Sequence, residues 1–176
     1  MIWAPRSEKD EAFEALVREM SAPLIRTATF LTKDATGAND LAQEAFLRTY
    51  AHWKKAQLNP RSYVWTVLVN LSRDHYRHQK RQPRKSDINP EVVSELPHLM
   101  MAERIDERLE IQRVLGDLPQ QQREVVGLRY LVGLSVAEVA AVLLIPEGTV
   151  KSNASRAISA LRKSLENINE EKIHVD

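Results

Sequence analysis

The stretch that decides the fold is Ser135–Arg162, SVAEVAAVLLIPEGTVKSNASRAISALR. It predicts a short helix, a bend at residues 144–146 and a longer helix that begins near Glu147. Ser135 followed three residues later by Glu138 is a capping box, which marks the start of a helix. The longer helix carries an apolar stripe that packs inward, at Val150, Ala154, Ala157, Leu161 and Leu165. This order of elements is typical of a helix-turn-helix.

The opposite face of the longer helix carries small polar residues between cations: Lys151, Ser152, Ser155, Arg156, Ser159 and Arg162. Small side chains allow close approach to base edges in the major groove, and cations contact phosphates. Residues 147–149 lie at the helix N-terminus, where free amides favour an anion. The pattern therefore predicts a DNA-reading helix. An ordinary surface helix of a helical bundle is the alternative on spacing alone.

The rest of the chain also predicts helices, so the fold class is all-α. We expect a helix over about 8–20, a second that Pro23 starts and Gly37 breaks, and a third over about 38–52. Asn59-Pro60 has the order of an N-cap followed by proline in the first turn. Residues 82–97 hold three prolines and no helical stripe. We expect two small helical domains joined by a flexible linker: 1–82, linker 83–97, helix-turn-helix domain 98–168 and tail 169–176.

Composition excludes several classes of function. The chain of 176 residues has no cysteine, which removes disulfides, thiolate zinc sites and cysteine nucleophiles. No apolar run approaches the roughly 18 residues that would span a bilayer, and the N-terminus has no signal core. The chain has no glycine-rich phosphate loop, and Asp74, His75 and His78 lack an obvious further ligand for a metal. We expect a cytoplasmic protein without cofactor, metal or enzymatic activity and without membrane insertion.

A basic block extends from the first predicted domain into the start of the linker. Residues 48–85 hold ten Lys or Arg and one acid, Asp74, whereas residues 86–124 hold nine acids and four Arg. The basic block also contains the aromatic residues Trp53, Tyr63, Trp65 and Tyr76. Single-stranded nucleic acid binds such surfaces because bases stack on rings while cations follow phosphates. A solvated helix face, with its aromatic residues buried, is the alternative.

Three segments together resemble bacterial sigma factors of the extracytoplasmic-function group, and within it the actinobacterial SigE-like subfamily. They are DLAQEAFLRTY at 40–50, NPRSYVWTVLVNLSRDHYR at 59–77 and LPQQQREVVGLRYLVGLSVAEVAAVLLIPEGTVKSNASRAISALR at 118–162. The resemblance implies a subunit that directs RNA polymerase core to promoters in transcription initiation. It implies as partners the β′ clamp helices and the β subunit of the polymerase, promoter DNA and, as the usual regulator, an anti-sigma factor.

The resemblance also implies roles for individual residues. The residues expected to bind core polymerase are Asp40, Gln43, Glu44, Leu47 and Arg48. Those expected to bind the minus-ten element are Trp53, Lys54, Lys55, Asn59, Arg61, Asn70, Arg73 and Arg77. Those expected to bind the minus-thirty-five element are Thr149, Lys151, Ser152, Asn153, Ser155 and Arg156.

The sequence departs from the family pattern in the helix-turn-helix. The bend usually carries glycine, but Leu144 stands there, and a left-handed backbone would cost leucine roughly 1 kcal/mol. Asn153 and Ser155 replace a basic and a bulkier residue, which changes the expected base contacts. We also expect no C-terminal accessory domain. A stand-alone helix-turn-helix regulator and a helical interaction adaptor are the competing hypotheses.

Overall fold

The helices follow from caps and apolar stripes that the sequence encodes locally. The computed structural model describes residues 7–79, 111 and 113–173, with residues 165 and 167–173 by their backbone alone. Every regular element in these ranges is helical, and residues 111 and 113–117 are helical too. The named elements are α1 (Glu8–Thr32), α2 (Ala35–Ala51), α3 (Trp53–Ala56), α4 (Pro60–Gln79), α5 (Gln120–Val126), a π-helical turn (Gly127–Leu131), α6 (Val136–Leu143) and α7 (Glu147–Ile173).

The first helical unit consists of α1–α4, in which α1, α2 and α4 pack against one another. Its core is apolar and includes Leu24, Phe30, Val64 and Leu68, all inaccessible to solvent. The predicted caps are confirmed. Ser7 and Asp10 form a capping box for α1, and the Asn59 Oδ1 atom accepts a hydrogen bond from the Ser62 amide at 3.1 Å.

The predicted break of the first helix at Pro23 is wrong, because α1 runs through this residue to Thr32. Proline inside a helix removes one backbone hydrogen bond and costs about 3 kcal/mol. Buried Met20 and Leu24 on either side hold the helix in the core, and this packing outweighs the local penalty. The predicted break at Gly37 is also wrong. Lys33, in a left-handed conformation, ends α1, and α2 begins before Gly37.

The second helical unit comprises residues 111 and 113–173, and it contains the predicted helix-turn-helix. Ser135 and Glu138 form the predicted capping box of α6. Leu144 ends α6 in the left-handed conformation, with φ 57° and ψ 46°. α7 then begins at Glu147 and packs against both α5 and α6. The helix-turn-helix is therefore confirmed. Its bend takes the left-handed conformation at Leu144 in spite of the cost to leucine.

The two helical units lie against each other, and their buried apolar residues form one cluster. α4 packs against α6, and α1 packs against the π-helical turn. Gly127 allows α1 and the π-helical turn to approach closely, because a Cβ atom at this position would lie only 3.0 Å from the Phe30 ring. The predicted linker 83–97 lies outside the described residues. The two predicted domains are thus two packed helical units in the part of the chain that the structure describes.

Candidate nucleic-acid and partner surfaces

The α2 surface, which we define as Asp40, Gln43, Glu44, Leu47 and Arg48, lies on the solvent side of α2. Ala38, Ala42, Ala45 and Phe46 occupy the buried side. The Leu47 side chain is 65% exposed although it is apolar. Glu44 and Arg48, one helical turn apart, form an ion pair at 2.6 Å beside it. The helix thus presents an apolar residue within a polar rim, as protein interfaces do.

The α3–α4 surface is formed by the exposed members of the predicted minus-ten group. Lys54, Lys55, Asn59, Arg61, Asn70 and Arg77 are exposed. Arg61 pairs with Glu19 of α1, and Arg77 pairs with Asp74 at 3.1 Å. Both are surface ion pairs, which water and a phosphate can replace at little cost. These cations can therefore be redirected to nucleic acid.

Trp53 departs from the sequence-based prediction, because its ring is buried in the first helical unit. The ring packs edge-on against Phe13, with 5.8 Å between ring centroids. Trp65 is buried as well. These indoles contribute to the core, and a base cannot stack on a ring that neighbouring side chains cover. We therefore leave Trp53 out of the α3–α4 surface.

Leu58 is a residue that the sequence-based prediction missed. It lies in the loop between α3 and α4, directly before Asn59, and is 89% exposed. Exposed apolar side chains, leucine among them, are inserted between base steps by several classes of DNA-binding protein. The signal in the sequence was a leucine that belongs to no helical stripe, within the mostly polar stretch 54–60. We add Leu58 to the α3–α4 surface.

Arg73 is placed differently from the other predicted minus-ten residues. Its Nε and Nη2 atoms donate hydrogen bonds of 2.8 and 2.7 Å to the two carboxylate oxygens of Glu124. This carboxylate belongs to α5, in the second helical unit. Hydrogen bonding to Glu124 raises the pKa of Arg73 above its usual range. In this arrangement Arg73 faces the helix-turn-helix unit.

The α7 surface, which we define as Lys151, Ser152, Ser155 and Arg156 with Thr149, lies at the start of the longer helix. Lys151, Ser155 and Arg156 are exposed, whereas Thr149 and Ser152 are half-buried. The Ser152 hydroxyl donates to the Thr149 carbonyl at 3.1 Å. Val150, Ala157 and Leu161 are buried on the other side. The helix therefore presents its cations away from the core, as a DNA-reading helix does.

Asn153 also departs from the sequence-based prediction, because its side chain is buried. Its Nδ2 atom donates to the Thr149 carbonyl at 2.9 Å and to the Gln121 Oε1 atom of α5 at 3.3 Å. The amide therefore joins α7 to α5 and cannot reach a base edge from this position. We leave Asn153 out of the α7 surface.

Arg129 and Tyr130 extend the cationic surface beyond α7. They face Lys151, Ser155 and Arg162 across an open groove of about 410 Å³. The Arg129 guanidinium donates to the Leu134 carbonyl, which fixes it at the rim. The sequence did not indicate this role, because Arg129 lies in the π-helical turn and reaches the groove only through the fold.

Asp74, His75 and His78 lie close together on α4. His75 lies 3.3 Å from the Asp34 carboxylate at the start of α2. Within residues 7–79, 111 and 113–173 we find no group of three or more potential metal ligands. None of the helices in those ranges is both long enough and apolar enough to span a membrane.

The two helical units match two family models. Residues 16–82 match sigma-70 region 2, and residues 108–161 match sigma-70 region 4. The chain is 34% identical to the RNA polymerase sigma-E factor of Streptomyces coelicolor over 155 residues, which cover 87% of this chain and 85% of that protein.

The chain belongs to the extracytoplasmic-function sigma factors. The sigma factor is also 32% identical to the extracytoplasmic-function sigma factor SigC of Mycobacterium tuberculosis, over 85% of this chain and 81% of that one. A solved structure of CnrH in complex with the cytosolic domain of CnrY matches with a TM-score of 0.63 and 25% identity, over 89% of each chain. A structure of RpoE from Bartonella quintana has the same fold, with a TM-score of 0.68, 22% identity and coverage of 89% and 98%.

The family confirms the function that the resemblance implied. The sigma factor binds RNA polymerase core and promoter DNA and directs promoter recognition in transcription initiation. The two matched regions fall on the two helical units, so each unit has a family counterpart.

Proposed function

We propose that each of the three surfaces performs one step of initiation by this sigma factor. The α2 surface binds the β′ clamp helices of core polymerase. The α3–α4 surface binds the minus-ten element and helps to open it, and the α7 surface reads the minus-thirty-five element. The observation that carries the first assignment is the exposed Leu47 within a polar rim. We further propose the domain limits 1–82 and 98–168, a cytoplasmic location, no catalysis by the chain itself, and regulation by an anti-sigma factor.

The α2 surface is tested by association with purified core polymerase in the absence of DNA. We expect Leu47→Ala to weaken association about tenfold or more, because the interface would lose the burial of three carbon atoms, at about 0.8 kcal/mol for each. Leu58→Ala is the matched control, since it truncates an exposed leucine outside the α2 surface. Equal association of the two variants would contradict the assignment.

The α3–α4 surface is tested by promoter opening with reconstituted polymerase, on a promoter found by run-off transcription of a genomic fragment library. We expect Lys54→Ala and Lys55→Ala together to reduce opening while leaving association with core unchanged. Each lost phosphate contact should also make the affinity for DNA fall less steeply as the salt concentration rises. Opening at the unaltered rate would contradict the assignment.

The α7 surface is tested by charge reversal at Lys151 and Arg156. We expect this pair of changes to abolish transcription from promoters that have a minus-thirty-five element, because acids at these positions repel the phosphates. Charge reversal at Arg113 and Lys163, which line a groove elsewhere on the second unit, is the matched control. If both double variants transcribe alike, α7 is not the reading helix.

The competing hypothesis of a stand-alone regulator makes a different prediction. It would bind an operator tightly without polymerase, as a dimer on half-sites. Binding of the isolated chain to its promoter at nanomolar concentration would favour it. The match of residues 16–82 to sigma-70 region 2 supports the sigma factor instead.

A further inference from the structure

An open groove runs along one side of α7, next to the α7 surface. We call it the α7 groove and define it by the residues Arg129, Tyr130, Val136, Ala154, Ile158 and Arg162. The π-helical turn and the start of α6 form one wall, and α7 forms the other. Its volume of about 410 Å³ lies within the range of roughly 300–1,000 Å³ that is usual for binding sites. The groove is therefore large enough to receive several side chains of a partner.

Apolar side chains form much of the lining of the α7 groove. Tyr130, Val136 and Ala154 are partly buried and pack against the core. Ile158 is half-buried and lies one helical turn after Ala154, on the same side of α7. Water covers the exposed part of these side chains in the free chain. A partner that covered them would gain the hydrophobic free energy of their burial.

The rim of the α7 groove is cationic. Lys151 and Arg162 are exposed and lie at its two ends, three helical turns or about 16 Å apart along α7. Arg129 stands on the opposite wall, where its guanidinium donates to the Leu134 carbonyl. None of the described residues that line the groove is acidic. The groove thus combines an apolar lining with three positive charges.

This combination fits a protein helix better than it fits nucleic acid. Phosphates would pair with the cations, but the main apolar group that DNA offers in its major groove is the thymine methyl. Arginine and tyrosine, as at Arg129, Tyr130 and Arg162, are enriched at protein interfaces. An amphipathic helix lays its apolar face into such a groove, and acidic residues beside that face would meet the cations. The three turns between Lys151 and Arg162 set the length of helix that the groove accepts.

We propose that the α7 groove is the docking site for an acidic amphipathic helix of a regulatory protein. The apolar face of this helix covers Ala154 and Ile158, and its carboxylates pair with Arg129, Lys151 and Arg162. Lys151 also belongs to the α7 surface, so the bound helix excludes the minus-thirty-five element from α7. This exclusion rests on the proposed reading role of α7, whereas docking itself does not.

Docking is tested with two synthetic peptides of about 18 residues, which is long enough to form a helix. The first carries a stripe of leucines at helical spacing and glutamates on its other faces, and the second has alanine in place of each leucine. Alanine keeps both the charge and the helix propensity. Fluorescence anisotropy gives the affinity of the full chain for each peptide without DNA. We expect the leucine peptide to bind at least tenfold more tightly, because each leucine buries more apolar surface than alanine does. Equal affinities would overturn the proposal and leave the groove to polyanions such as DNA.

Ile158→Lys separates the apolar lining from the charge of the groove. It adds a cation, so charge alone predicts tighter binding of the acidic leucine peptide, whereas the proposal predicts binding about tenfold weaker. Ala160→Lys is the matched control, since it adds the same charge at an exposed position of α7 that lines a different groove. Binding by Ile158→Lys that equals or exceeds binding by Ala160→Lys would overturn the proposal.

Ile158→Ala gives a second variant that brings no charge into the half-buried position. We expect it to weaken binding of the leucine peptide and to leave the affinity for heparin unchanged, because heparin is a polyanion without an apolar face. Unchanged binding of the leucine peptide, or an equal loss of both affinities, would count against the apolar contact.

Exclusion of DNA is tested by run-off transcription with reconstituted polymerase, from a promoter that has a minus-thirty-five element. We expect the leucine peptide to inhibit transcription by the unaltered chain and to inhibit the Ile158→Lys polymerase much less. Equal inhibition of the two polymerases would overturn the exclusion. A wrong assignment of α7 would be recognised separately, because charge reversal at Lys151 and Arg156 would then leave transcription unchanged.

Discussion

At the scale of single residues, Leu144 occupies a position whose backbone favours glycine. Its φ of 57° lies in the left-handed region, which costs an L-residue roughly 1–2 kcal/mol. Its side chain is 82% exposed and contributes little to packing. The leucine is therefore tolerated at this bend and does not stabilise it.

We expect Leu144→Gly to raise the free energy of unfolding by about 1 kcal/mol or slightly less. The gain from relieved backbone strain exceeds the added entropy of the unfolded chain, about 0.4–1 kcal/mol for glycine. Urea unfolding followed by circular dichroism measures it. Leu47→Gly is the control, since it places glycine in a helical position and should lower stability by about 1 kcal/mol. A loss of stability in Leu144→Gly would contradict the argument.

Asp10 gives a prediction on pH. Hydrogen bonds from the Tyr50 hydroxyl, at 2.6 Å, and from Ser7 lower the pKa of Asp10 below its usual value of 3.8. A lowered pKa in the folded state contributes stability above pH 3.8, and this contribution is lost as the pH falls through the folded value. We expect Asp10→Asn to lower Tm at neutral pH, and the difference from the unaltered chain to narrow near pH 3. A difference independent of pH would show that Asp10 acts only through packing.

The sequence predicted those residues whose partners are close along the chain. The caps at Ser7, Asn59 and Ser135 were predicted correctly, because each bonds a residue three positions away. Trp53 and Asn153 were placed on DNA-facing surfaces, whereas both are buried by helices distant in the sequence. Their exposure depends on tertiary packing, which a local pattern does not contain.

At the scale of elements, α1 shows where packing outweighs propensity. The helix continues through Pro23 for nine further residues, to Thr32. The Thr27 hydroxyl donates to the Pro23 carbonyl at 2.8 Å. The prediction that a new helix starts at Pro23 was wrong because it rested on the local preference of proline alone. It did not include the free energy gained when the flanking apolar side chains are buried.

We expect Pro23→Ala to stabilise the chain, because alanine restores the missing backbone hydrogen bond. The restored hydrogen bond and the relieved clash stabilise the folded helix by up to about 3 kcal/mol. The greater conformational freedom of the unfolded chain offsets about 1 kcal/mol of this gain in the free energy of unfolding. This gain corresponds to a rise in Tm of several degrees for a chain of this size. Pro60→Ala, at the first position of α4, is the control and should give no gain, since proline is favourable there. A fall in Tm for Pro23→Ala would show that the ring packs better than the argument assumes.

At the scale of the whole molecule, the arrangement of the two units could not be predicted from the sequence. The sequence indicated two helical domains and a linker, but it did not indicate how the two domains pack against each other. The contact between Arg73 and Glu124 joins residues that no periodic pattern relates. The family resemblance assigned Arg73 to DNA, whereas the structure pairs Arg73 with Glu124 of the second helical unit.

The ion pair predicts unequal effects of its two truncations. We expect Arg73→Ala to lower the free energy of unfolding by about 3 kcal/mol, because it removes both hydrogen bonds of the ion pair from the buried Glu124 carboxylate. Glu124→Ala should cost less, since the Arg73 side chain is 29% exposed and can regain water. Denaturant unfolding of both variants measures the difference. A larger loss in Glu124→Ala would contradict the burial argument.

The π-helical turn at Gly127–Leu131 has a consequence for how the chain tolerates insertions and deletions. The Val132 amide bonds the Gly127 carbonyl, five residues back, so this turn holds one residue more than an α-helical turn. Each residue in an α-helix turns the chain by about 100°. Removing one residue here would leave a regular helix but rotate everything after it by roughly that angle. A deletion that most surface loops would tolerate would thus rotate α7, and with it the proposed DNA-reading face, relative to the first helical unit.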